Sequence, residues 1–235
     1  IHDVADEPVV DRATLDSHIA DGRYAQAVDV VGEAAERVRA KKEAEFEGKR
    51  EELLGLIETV QSSAAVGYVS TSRLEKLETI EAEIRDLESV FDLDELENDL
   101  RTRLLSTCAE VIADLQEELT AYLETFSDPD VPPDYFERPG VLARSPREEL
   151  RDASDLRSFE ARWTGLADDF VSALDDASGR EGALLAYDDV HEDIERTLAT
   201  DSEVTDDDVP YSPAAPVMQL YAHRNEDVRF VEFGP

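Results

Sequence analysis

Apolar residues recur along most of this chain three and four positions apart, the period that keeps one face of an α-helix oily. No proline occurs between Pro8 and Pro129. Because an interior proline costs a helix about 3 kcal/mol, that stretch is open to long helices. A short lead-in, Thr14 to Ala20, ends at Asp21-Gly22, a turn signal. The spacing then predicts a helix from about Arg23 to Gln61. Its first half carries Tyr24, Val28, Val31, Ala35 and Val38, and its end carries Leu53, Leu56, Ile57 and Val60. Residues 62–71, with Gly67, break the pattern. Ser72-x-x-Glu75 reads as a capping box opening a third helix with the stripe Leu74, Leu77, Ile84 and Leu87. Asp92-x-x-Glu95 opens a fourth, whose stripe runs Leu93, Leu96, Leu100, Leu104, Cys108, Val111, Leu115, Leu119, Tyr122 and Phe126. At 1.5 Å per residue that stripe extends about 51 Å, which predicts helices lying side by side over residues 14–126.

Proline and glycine punctuate the second half. Residues 127–145 hold four prolines and read as an irregular connection. Ser145-Pro146-Arg147-Glu148 has the order of a cap, a first-turn proline and a reciprocating glutamate, so a helical segment is expected over 146–199. Phe159, Trp163, Leu166, Phe170 and Leu174 mark its first face, at helical spacing that favours core over a ligand pocket. Ser178-Gly179 reads as a stop, and Leu184, Tyr187, Val190, Ile194 and Leu198 mark a further helix. Residues 200–216, acidic and then proline-rich, read as a linker. Val217–His223 and Val228–Phe233 are β-prone runs that predict a hairpin over 217–233. A lone hairpin is marginal, so this one is expected to pack on helices, pair with another chain, or begin a further domain. The fold class expected is therefore mainly α: an elongated antiparallel helical bundle or coiled coil with a small C-terminal β-hairpin. The phrase from Asp21 to Ala34 resembles the second-helix entry of a tetratricopeptide repeat, but no second copy follows at the period of that family, and no repeat array is expected.

Charge changes what the surface implies. Against 58 acidic residues stand 23 basic ones, a net charge of −35, and only Lys41, Lys42, Lys49 and Lys76 are lysines. The acid is spread through every expected helix, interleaved with periodic apolar residues that a disordered tail lacks. At molar ionic strength the screening length falls to about 3 Å and self-repulsion largely disappears. The composition thus resembles that of a salt-in halophile. It disfavours an anionic membrane surface, and no apolar run approaches the roughly 18 residues that span a bilayer. The expected location is the cytoplasm. The chain opens at Ile1 without the sections of a signal peptide, and a trimmed or processed chain with sequence missing at one or both ends is expected.

Candidate chemistry is sparse. The sequence holds no phosphate-binding glycine loop, nucleophile elbow, HExxH or paired CxxC, so no common enzyme class is indicated and no cofactor is expected. The single Cys108 excludes an intramolecular disulfide and sits mid-stripe, where cysteine acts as a small hydrophobe. Asp188, His191 and Glu195, three and four apart, are metal-ligand candidates for one helical face. A carboxylate-bridged pair would need a second acidic-x-x-His motif, and His2, His18 and His223 supply none, so a solvated acidic helix is the favoured reading. The segment with Arg37, Arg39, Lys41, Lys42, Lys49 and Arg50 departs from the acidic background and has Phe46 as its one large apolar residue. Pairs such as Glu45 with Lys49 at i,i+4 account for it. Contact with an acidic partner, phosphate or nucleic acid is the alternative. The function expected is a non-catalytic helical interaction or scaffold module of a halophile, acting through self-association or a protein partner. A homodimer through the stripe from Leu93 to Phe126 is the specific expectation. The alternative is a regulatory or nucleic-acid-associated protein, and a third reading is a helical-bundle metalloenzyme centred on His191.

Overall fold

The computed structural model describes residues 10–125, 131, 132, 135, 139–201 and 204–225. Among them the α-helices are α1 (Arg12–Ala20), α2 (Tyr24–Ser62), α3 (Thr71–Asp86), α4 (Arg101–Thr125), α5 (Pro146–Arg151), α6 (Leu156–Asp201) and α7 (Ala214–Arg224). None of these helices is long and apolar enough to cross a membrane. The chain divides into two compact units. The first comprises the described residues up to Glu58 together with Leu77–Leu105, and the second comprises Thr59–Lys76 and the described residues from Ser106 onward.

In the first unit, Asp11 caps α1 by accepting from the amides of Ala13 and Thr14. The expected turn at Asp21-Gly22 is formed with Gly22 at φ 72°, a conformation that favours glycine. The core is drawn from Phe46, Leu53, Leu56 and Ile57 of α2, Leu77, Ile80 and Ile84 of α3, and Leu93, Leu96, Leu100 and Leu104. The fourth helical run opens one 3-10 turn earlier, at Val90–Asp92, with α-helix from Leu93. Ser89 is the cap there, and Asp92 is the reciprocating side chain that reaches back to the Ser89 amide. A π-helical turn over Glu95–Leu100 then leads into α4. Leu96, Leu100, Leu104 and Cys108 follow at four-residue steps, each overshooting an α-helical turn by about 40°. The wider i→i+5 turn at the start absorbs part of that drift and keeps the stripe on one buried line.

In the second unit, Cys108, Val111, Ile112, Leu115 and Leu119 of α4 are buried, as are Trp163, Leu166, Phe170 and Leu174 of α6. The Trp163 indole donates to the Cys108 carbonyl at 2.9 Å, which satisfies its one polar atom inside the core. The stripe from Leu93 to Leu119 is thus covered within a single chain. The helix that starts at Pro146 stops after Arg151, and Asp155 caps a new start by accepting from the Ser158 amide at 2.7 Å.

Two expectations are overturned here. Ser178-Gly179 does not end a helix, because α6 runs unbroken through both residues. Only Gly182 serves close approach: the Tyr211 hydroxyl donates to the Gly179 carbonyl at 2.9 Å, and a Cβ on Gly182 would collide with that hydroxyl. The C-terminal β-hairpin is also absent. Val217 to His223 lie within α7, and among the described residues there is no strand. Ala214, Val217, Met218 and Tyr221 are spaced i, i+3, i+4, i+7, and with Leu220 they are buried in one cluster with Ala183, Tyr187, Val190 and Ile194 of α6. That packing outweighs β-propensity, which depends strongly on context. Pro216 falls in the first turn, where its missing amide costs nothing. The other half of the expected hairpin, Val228–Phe233, lies outside the described residues.

Candidate partner-binding face

The first half of α2 buries two alanines and leaves several of its larger apolar residues exposed. Ala27 and Ala34 are buried, whereas Tyr24 is 66% exposed, Val28 70% and Val31 40%. Ala35 is exposed and Val38 half-buried. Positions 24, 28, 31, 35 and 38 alternate steps of four and three, which is a heptad seam. The side chains expected to form the inner face of this helix are therefore its outer one. Ile19 on α1 is also exposed.

Farther along the same helix lies a groove of about 550 Å³, lined by Arg39, Glu43, Phe46, Glu47 and the turn Glu88–Phe91. Phe46 is its buried aromatic wall, and Phe91, 91% exposed, stands at its rim. The reciprocal Ser89–Asp92 cap fixes the turn that carries Val90 and Phe91. The Arg39 Nε donates to Glu43 at 2.8 Å along one side. Sequence reasoning reached Phe46 but missed Val90 and Phe91, whose only signal was a large apolar pair before Asp92.

The basic segment is laced with pairs, the favoured reading of it. Lys49 bonds Glu45 at 3.0 Å, and also Glu97, while Lys42 bonds Glu45 at 2.8 Å. Hydrogen bonds from Lys42 and then Lys49 hold the Glu45 carboxyl below its ordinary range. Arg50 donates to the Arg85 carbonyl at 2.9 Å and lies 3.6 Å from Glu47. Arg37 and Lys41 are exposed on the same helix. The charge along α2 is polar in both senses: residues 21–36 carry a net −3 and residues 37–50 a net +3.

The other candidates sit elsewhere. On α6, Asp188 and Glu195 are exposed, and His191 stacks on Tyr187 with ring centroids 5.5 Å apart. Arg224 lies 4.4 Å from the centroid of the same tyrosine ring. Among the described residues, no group of three or more His, Cys, Asp or Glu side chains is placed to hold a metal ion. Burial pushes the Cys108 thiol up to about 12, far from an activated thiolate. Comparison with protein-family models, curated proteins and solved structures finds nothing that matches this chain.

Proposed function

We propose that this chain is a non-catalytic helical interaction or scaffold module of a halophile, binding protein through the first half of α2. The observation that carries this reading is the uncovered seam of Tyr24, Val28 and Val31. Covering a large apolar side chain recovers roughly 1.5–3 kcal/mol, so a run of them on one exposed face favours a partner. The expected dimer surface on α4 is spent on the chain's own core, which leaves α2 as the place for association. The nucleic-acid alternative draws less support, since Arg39, Lys42, Lys49 and Arg50 direct their charge at neighbouring carboxylates or a carbonyl. Molar salt would weaken phosphate contacts further.

The test is retention of host protein on the immobilised chain in molar KCl, compared with the Val28→Asp variant. The reading expects a stoichiometric protein on the wild type that is lost from the variant at unchanged helical content. Equal retention by both would overturn it.

A further inference from the structure

We propose that the occupant of the α2 face is a second copy of this chain, paired antiparallel along residues 24–42, with Tyr24 of each copy entering the groove between Phe46 and Phe91 of the other. This rests on reading that face as a protein-binding surface.

Self-pairing about a two-fold axis requires a patch complementary to itself when reversed. The seam meets that requirement. With the axis near residue 33, Val31 of one copy lies against Ala35 of the other, and Val28 against Val38, which are the a-to-d contacts of antiparallel helices. Ala25 and Gly32 lie along one flank of the seam, where small residues permit close approach, and a Cβ on Gly32 would meet nothing within 4 Å.

Tyr24 then arrives level with Lys42 of the other helix, about 27 Å along the axis from its own counterpart. That is where the groove of Arg39, Glu43, Phe46 and Phe91 opens. Tyr24 and Phe91 are both largely exposed in the single chain, and each supplies the aromatic surface the other lacks. The pairing accounts for both at once.

Charge selects the direction. The acidic residues 21–36 and the basic residues 37–50 make α2 a dipole of fixed side chains. Antiparallel pairing sets the acidic stretch of each copy toward the basic stretch of the other, whereas parallel pairing sets like against like. Most of the chain repels its copy at longer range, so association belongs to molar salt, where only charge pairs in direct contact still bias the direction.

Light scattering in 2 M KCl at micromolar concentration tests the pairing, with cysteine variants reading its direction. The wild type should have twice the mass of the 26.2 kDa chain. Tyr24→Ala should weaken association about tenfold at unchanged helical content. Gly32→Cys should form a disulfide-linked dimer on oxidation, because the two copies of position 32 lie within about 3 Å of each other along the axis. Tyr24→Cys should not cross-link, and native Cys108 is too buried to interfere. Cross-linking of both variants would overturn the antiparallel arrangement. A monomeric mass would overturn the second copy as occupant. If that monomer still retains a different protein through Val28, the interaction reading survives, and if it retains none, both fall.

Discussion

At Cys108, burial strips the thiol of the water that would stabilise its thiolate, and the pKa rises to about 12. A thiol reagent near neutral pH is therefore expected to label the native protein slowly and the urea-unfolded protein fast. Rapid native labelling would contradict the buried position. Arg144 shows the opposite electrostatic case. It donates to Glu149 from Nε at 2.9 Å and from Nη2 at 2.5 Å, and the Glu149 carboxyl is held below its ordinary 4.5 chiefly by that bonding. A depressed carboxyl stabilises the fold fully above its unfolded value and loses that contribution as pH falls through the folded value. Glu149→Gln should thus cost about 0.5 kcal/mol near neutral pH, the scale of a partly exposed pair, with the gap from wild type closing as pH drops below about 4.5. Thermal melts of both proteins across that range would show it. The core position of Cys108 was legible from its place between Leu104 and Val111. The Arg144–Glu149 pair was not, because a five-residue separation across a turn has no fixed geometry in sequence.

Among the elements, α6 separates the two meanings of glycine. Gly179 is helical and meets only Pro213 at 3.8 Å, an ordinary contact, while the space beside Gly182 is filled by the Tyr211 hydroxyl. Gly179→Ala is expected to stabilise by up to about 1 kcal/mol through helix propensity. Gly182→Ala gains the same propensity but displaces Tyr211 and its bond to the Gly179 carbonyl, worth about 1 kcal/mol. Urea titrations should rank Gly182→Ala below Gly179→Ala by at least that amount, and equal midpoints would refute the close approach. The residue types in these positions read as a stop because the segment that packs over them is some thirty residues away in sequence. The same holds for α7, whose valine and tyrosine favour a strand locally but whose i, i+3, i+4, i+7 spacing serves burial against α6.

For the molecule as a whole, 58 acidic residues against 23 basic ones make screening part of the stability. A circular dichroism melt should rise in midpoint from 0.05 M to 2 M KCl, because the repulsion between surface carboxylates is removed at short screening length while the buried core is unaffected. Equal midpoints would remove the halophile reading. By itself the sequence determined the acidity, the extent of α2 to within a residue at each end, the Asp21-Gly22 turn, the i,i+4 pairing of Glu45 with Lys49, and the buried stripe of α4. These follow from interactions between residues close along the chain or from a period sustained over many turns. Only the tertiary structure decided that α2 turns Ala27 and Ala34 inward and Tyr24 and Val28 outward, that α6 passes through its glycines, that residues 214–224 are helical, and that Phe91 lines the same groove as Phe46. Each of those outcomes sets a local preference of at most about 1 kcal/mol per residue against burial worth roughly 1.5–3 kcal/mol per large side chain, and burial depends on which distant segment arrives.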